Sequence, residues 1–582
     1  MIDNSISMSD KQELLRVAAP DLMTRLVNPV CLDGAGNEFP APAPGSDCPQ
    51  GQQRQFAPLA DVHVGVVSSS LGDFGSNLAC PTLGFPRYVP DRIDMAHLMG
   101  SLERSTAQTT PQGFLEWHAG VTDLDAFDLD FQRTLTDVGE SGCGWEASLE
   151  SWYRFLIDPR PYRELARVQC PGSLDGTADC VQPVTDANDA ILLDDTLLAQ
   201  RAAFLRDDSL LAIVMLSDEN DCSAQVGGQN WTVFNIEDAR PMTKGSSTCA
   251  IDPNDKCCYA CPLAPPAGCS VDPACTSDEA NPNRLARELD GQNLRCFEQK
   301  RRFGQDFLYP TQRYVNALTR PQLCLGAPDL STDGCAAADV VPNPLFKGGR
   351  VPSDVYLSGI VGVPWQAVAS SQDAYGRPID ADQVLRFKSY GELTTDGVWD
   401  QILGSPGVPW RAATGSQPEV LSVPGSPPLL PEMVESSQFP RPGVTIGNAM
   451  NGRDYDTTVT YGVTPVMADL QYACIFPLAT PRDCAQLDPN TDHCDCYAGE
   501  FDRPLCEQTP GVSPAGTMQY WGKAQPGSRL LQVLKDFGAQ TSNSVVASIC
   551  ARNTTDVSRS DYGYRPAMAA VLERLQAPAD SR

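Results

Sequence analysis

The chain has 582 residues, 42% of them hydrophobic and 20% charged, a balance that excludes wholesale disorder and suits several domains or one domain with large insertions. Asp plus Glu number 73 against 43 Lys plus Arg, and the formal charge of −30 speaks against a nucleic-acid backbone as partner, which needs clustered cations. The 22 cysteines, an even number, are a liability in a reducing cytosol and point to disulfides in an exported protein.

In chain order, residues 9–27 predict a helix with Leu15, Ala18, Leu22 and Leu26 in one stripe, and Ser9 with Gln12 has capping-box spacing. After a Pro-rich loop, residues 62–67 read as a strand that ends in Ser68-Ser69-Ser70, and residues 128–135 as a weaker strand. Gly142-Cys143-Gly144 opens a helix running to Ile157, and a further helix covers about 195–206. The run 210–216 is continuously apolar, as a parallel strand buried on both faces should be, and it stops at Ser217-Asp218-Glu219-Asn220-Asp221-Cys222. A long helix fits 295–318 and a strand 355–363, then helix 530–537 closed by Gly538, strand 544–549 and helix 564–575.

Strand–helix alternation of this kind implies a doubly wound, mostly parallel α/β sheet covered on both faces. Because the last strand and helix follow the irregular stretches, the expected organisation is one interrupted domain. It comprises an N-terminal part (1–222), a Cys-rich insertion (223–295), a middle helix and strand (296–369), a Pro/Gly/Cys-rich insertion (370–528) and a C-terminal helix–strand–helix (529–582). Cys258-x-x-Cys261 and Cys494-x-Cys496 are possible zinc half-sites, but neither has a second pair at a clean spacing, so disulfides are the expectation.

Export raises a contradiction, since residues 1–30 contain no charged segment followed by an apolar run and a cleavage site. Met1 also stands two residues before a polar motif where a buried first strand should already be complete. The expectation is a truncated first strand in a longer product that begins with a signal or lipoprotein peptide, which would supply a lipid anchor. No stretch approaches the ~20 apolar residues of a membrane helix. The expected location is extracellular, periplasmic or outer-membrane associated.

In a doubly wound sheet, ligands bind beyond the carboxyl ends of the strands. Asp3-Asn4-Ser5-Ile6-Ser7, Glu140-Ser141 and Ser217-Asp218-Glu219 fall there, and their hard oxygen donors suit Mg²⁺, Ca²⁺ or Mn²⁺. Asp3-x-Ser5-x-Ser7 resembles the first motif of the metal-ion-dependent adhesion site of von Willebrand factor A domains, and Asp218 matches that site's later aspartate. The form Ser217-Asp218-Glu219-Asn220-Asp221-Cys222 resembles exported, Cys-rich A-like proteins of myxobacteria. So do the segments from Cys296 to Gly304 and from Gly359 to Trp365.

The resemblance implies a metal held by Asp3, Ser5, Ser7 and Asp218, with Ser141 in the place of the family's middle-loop threonine. Glu140, Glu219 and Asp221 are possible rim groups. Cys143 and Cys222 lie in two loops that such a fold brings together, so they could bridge each other or pair within their own insertions. An enzyme is not expected: Gly-x-Ser-x-Gly, His-Glu-x-x-His and phosphate-loop motifs are absent, and none of the four histidines stands at a predicted strand end beside a nucleophile. The expected function is capture of a protein or other carboxylate-bearing ligand by a metal whose direct ligands are largely neutral. The competing expectation is a disulfide-rich envelope scaffold with a degenerate metal site, and a metal-dependent hydrolase is a minor one.

Overall fold

An apolar strand with no polar face needs cover on both sides, and three such runs lie side by side here. The computed structural model describes residues 1–576 except 36, 43–44, 76–79, 81–92, 171–178, 235–240, 276–282, 374–375, 381–383, 405–428, 435–446, 462–463, 468, 489–492 and 498–502. It is mixed α/β around a parallel sheet in which Val355–Val361 is the middle strand, flanked by Leu211–Ser217 and Ser544–Ser548. Leu211 stands opposite Val355 and Ser217 opposite Val361, while Leu357 and Val361 stand opposite Ser544 and Ser548. Every residue of Val355–Val361 and of Ser544–Ser548 is buried.

The first three residues extend this edge. Ile2 bridges Leu216 on one side and Ser68 on the other, both in parallel. The Asp3 N–H donates to the Leu216 carbonyl and the Ile2 N–H to the Val67 carbonyl, each at 2.9 Å. Asp61–Val64, which leads into that neighbour, pairs antiparallel with Leu115–His118. Through these contacts the spatial order is 115–118, 61–69, 1–3, 211–217, 355–361 and 544–548. The parallel members present their carboxyl ends at one edge, which is where Asp3, Ser69 and Ser217 meet. Helices Ser9–Val27, Leu124–Asp137 and Arg565–Gln576 pack in one group; Ser148–Leu156, Asp195–Phe204, Gln312–Thr319 and Ser528–Thr541 form another.

Several predicted elements are corrected. Residues 128–135 lie in the helix Leu124–Asp137, capped by the Asp123 side chain, with Phe127, Phe131 and Leu135 buried at helical spacing. The 295–318 helix is two short ones, Gln299–Phe303 and Gln312–Thr319, because Gly304 turns left-handed (φ 76°) and Pro310 intervenes. The helix expected from Gly142 is confined to Ser148–Leu156. The Ser9–Gln12 capping box does not form: Gln12 reaches the carbonyls of Asp3 and Gly139 instead, both at 2.9 Å.

All 22 cysteines are paired in eleven disulfides, which leaves no thiolate for a zinc site. Cys143 and Cys222 do not bridge each other. Cys143 pairs with Cys80 and Cys222 with Cys296. Three bridges span long separations (63, 74 and 76 residues), and each fastens one loop at the sheet's carboxyl edge. The stretch 370–528 joins the main core through Leu385, Phe387, Leu393, Trp399 and Phe476. Its Tyr455, Tyr472, Leu505 and four cysteines build a satellite core of their own.

One helix start in this stretch offers a simple check of local energetics. Ser389 and Glu392 form a reciprocal capping box at Tyr390–Thr395. Burial pushes the Glu392 carboxyl up, but hydrogen bonds from Arg386 and from the Ser389 N–H outweigh it and bring the carboxyl to about 2. Its stabilisation is therefore complete above the ordinary value of 4.5 and is lost as pH falls toward 2. Ser389→Ala is expected to cost about 1 kcal/mol in urea denaturation. An unchanged midpoint at pH 7 would show that the cap contributes nothing.

Candidate functional site

Asp3 leaves the sheet at its carboxyl edge, and the next residues turn at once into a short 3-10 helix, Ile6–Met8, and then Ser9–Val27. That tight entry folds Ser5 and Ser7 back over Asp3. The Ser5 N–H donates to Asp3 Oδ1 at 2.8 Å, and the hydroxyls of Ser5 and Ser7 are 3.0 Å apart. The Ser7 hydroxyl donates to Asp218 Oδ1 at 3.0 Å across 211 residues of sequence. Ser217 donates to Asp3 Oδ2 at 2.7 Å. Asp3, Ser5, Ser7 and Asp218 thus converge on one point, and all are buried, none more than 6% exposed.

The middle loop lies beside this node. The Gly142 N–H donates to the Asn4 carbonyl at 2.8 Å and the Cys143 N–H to the Ser70 hydroxyl at 2.9 Å. A Cβ on Gly142 would collide with the Asn4 side chain, so glycine permits the close approach. Ser141 is half-buried and its hydroxyl makes no hydrogen bond among the described residues; Glu140 is exposed. Asp221 faces away from the rim. It accepts from the Leu149 N–H (2.9 Å) and the Ser223 hydroxyl (2.6 Å) and pairs with Arg529 at 3.1 Å, so it caps Ser148–Leu156 and anchors Ser528–Thr541.

Two groups absent from the sequence expectations complete the site. Lys11, 1% exposed, places its ammonium 3.0 Å from Asp218 Oδ2 and 2.8 Å from the Ser7 carbonyl, with Asp10 at 3.5 Å. Burial draws its pKa down, but Asp10 and Asp218 more than offset this and the net shift is upward, so it is charged. Glu146, buried in the turn before Ser148–Leu156, faces Glu219 at hydrogen-bonding range. Burial first, and then the charges of Asp218 and Asp3, push Glu219 up to about 8, and burial with Glu219 and Asp3 holds Glu146 well above the carboxylate range. Burial and mutual repulsion thus favour the protonated form of this pair. Asp3, pushed up to about 6 by burial and by Asp218, is ionised at neutral pH.

A hairpin from the second insertion covers the node. Cys474–Asp483 pairs antiparallel with Met518–Ala524, and the Gln525 N–H that follows donates to the Asp218 carbonyl at 2.8 Å. The Phe476 ring lies 5.4 Å from the Lys11 ammonium, and Cys474 is bonded to Cys550 just past the last sheet strand.

The donors suit a hard divalent cation. They are oxygens only, two carboxylates and two hydroxyls with neighbours already hydrogen-bonded, which is what Mg²⁺ or Mn²⁺ takes. Among the described residues there is no cluster of three or more His, Cys, Asp or Glu side chains arranged to hold a metal, so any metal would depend on the serine hydroxyls. Among those residues no helix is long and apolar enough to cross a membrane. No protein-family model matches this chain, and no curated protein or solved structure matches it either.

Proposed function

We propose that the chain is an exported, disulfide-bonded binding protein of von Willebrand factor A type, doubly wound, whose node of Asp3, Ser5, Ser7 and Asp218 holds a divalent cation and recognises a carboxylate-bearing partner. The observation that carries this reading is the convergence of those four side chains at the carboxyl edge of a parallel sheet. Eleven disulfides favour an oxidising compartment outside the cytoplasm.

In this reading Ser5 and Ser7 are the neutral direct donors. Asp3 is held by the Ser5 N–H and the Ser217 hydroxyl so that it orients Ser5, and Asp218 orients Ser7. A bound divalent ion would supply the positive charge that attracts a partner carboxylate.

Calorimetric titration of chelator-stripped protein with Mn²⁺ tests the reading. One ion per chain is expected, with affinity at least ~10- to 100-fold weaker in Asp3→Ala and Ser5→Ala, since even groups behind the ligands carry that much. Absence of Mn²⁺ and Mg²⁺ binding by the wild type would overturn it. A second reading, a disulfide-rich envelope scaffold with a degenerate node, would then stand, and the Lys11 ion pair with Asp218 inside a covered site favours it.

A further inference from the structure

We infer that Lys11 is a built-in cation of the node, and that a divalent ion must displace its ammonium from Asp218 to bind tightly. The inference rests on the metal reading above and concerns its regulation. The two oxygens of one carboxylate are divided between competing roles: Asp218 Oδ1 takes the Ser7 hydroxyl at 3.0 Å and Oδ2 takes the Lys11 ammonium at 3.0 Å. The same ammonium also holds the Ser7 carbonyl at 2.8 Å. A divalent ion on the Ser7 hydroxyl would stand beside the Lys11 ammonium, which holds the carbonyl of the same residue and Oδ2 of the carboxylate that orients that hydroxyl, and like charges at such range inside a protein repel strongly.

Local rules argue against a lysine at this position unless the position has a use. Lys11 lies in the first turn of Ser9–Val27, where the helix dipole disfavours a cation, and its burial is sustained by Asp218 and Asp10. A cation placed against the helix dipole, and ending in a cluster of candidate ligands, marks a functional position. Phe476 of the covering hairpin lies 5.4 Å from the ammonium and forms part of the cover over Lys11. The node is thus closed and internally neutralised when metal is scarce, and opens as metal rises.

The test compares Mn²⁺ affinity in the wild type, Lys11→Met and Lys11→Arg. Lys11→Met is expected to bind at least ~10-fold more tightly, and Lys11→Arg, which keeps the charge, to stay within about 3-fold of wild type. A second readout needs no variant: acylation of Lys11 by a small amine-reactive reagent, followed by peptide mass spectrometry, should be slow with chelator and should rise with Mn²⁺. Equal affinities of wild type and Lys11→Met, or a Lys11 that stays protected in the Mn²⁺-loaded protein, would overturn the inference and leave the metal reading intact. Absence of binding in all three proteins would overturn both.

Discussion

Removing the Cys474–Cys550 bridge by a double Cys→Ser substitution is expected to cost about 4–5 kcal/mol of stability, among the largest losses any single covalent change can produce here. The bridge closes a loop of 76 residues, and the entropy that a cross-link removes from the unfolded chain grows with loop length. The same arithmetic gives about 3 kcal/mol for Cys484–Cys494, whose separation is 10. Denaturation of the two double variants should therefore rank the long bridge above the short one. The reverse order would show that chain entropy does not govern this protein's disulfides. The long bridge also has a local effect, because it pins the hairpin Cys474–Asp483 to the end of Ser544–Ser548 beside the node. Its loss should speed the Lys11 acylation described above even in chelator.

How much of this was legible beforehand depends on whether the deciding contacts are local. The apolar runs at 210–216, 355–363 and 544–549 identified three neighbouring parallel strands, since such runs leave few other places to go. Asp3, Ser5 and Ser7 are a local pattern, and Asp218 follows from its place at the end of an apolar strand. By contrast, Asp128-Leu129-Asp130-Phe131 alternates with a strand's period, and only the burial of Phe127, Phe131 and Leu135 on one face reveals a helix. Asp221 reads as a rim carboxylate until the Leu149 N–H, 72 residues away in sequence, is seen to need a cap. Lys11 sits in a polar run, and its burial depends on a hairpin that begins more than four hundred residues later. Disulfide partners are of the same kind: spacing alone does not distinguish Cys143 with Cys222 from Cys143 with Cys80.

The second large effect is expected at Asp218. Asp218→Asn keeps the shape of the side chain but strips the buried Lys11 ammonium of its nearest carboxylate, leaving Asp10 at 3.5 Å as the remaining one. Removing one partner of a buried ion pair costs about 3–5 kcal/mol, and Asp10 at 3.5 Å places the loss toward the lower end. The loss should appear in chelator, because it belongs to the ion pair and not to any bound metal. Lys11→Met should be milder, since Asp218 keeps the Ser7 hydroxyl as donor and the methionine fills the space beneath Phe476. In the double variant Lys11→Met/Asp218→Asn, most of the Asp218→Asn loss should return, with a coupling energy of about 2 kcal/mol or more, as for residues in one network. If Asp218→Asn in chelator stays within about 1 kcal/mol of wild type, then water reaches Lys11 and the ion pair is worth no more than a surface one. A full loss with full recovery in the double variant would instead establish the pair as the element that holds the node shut.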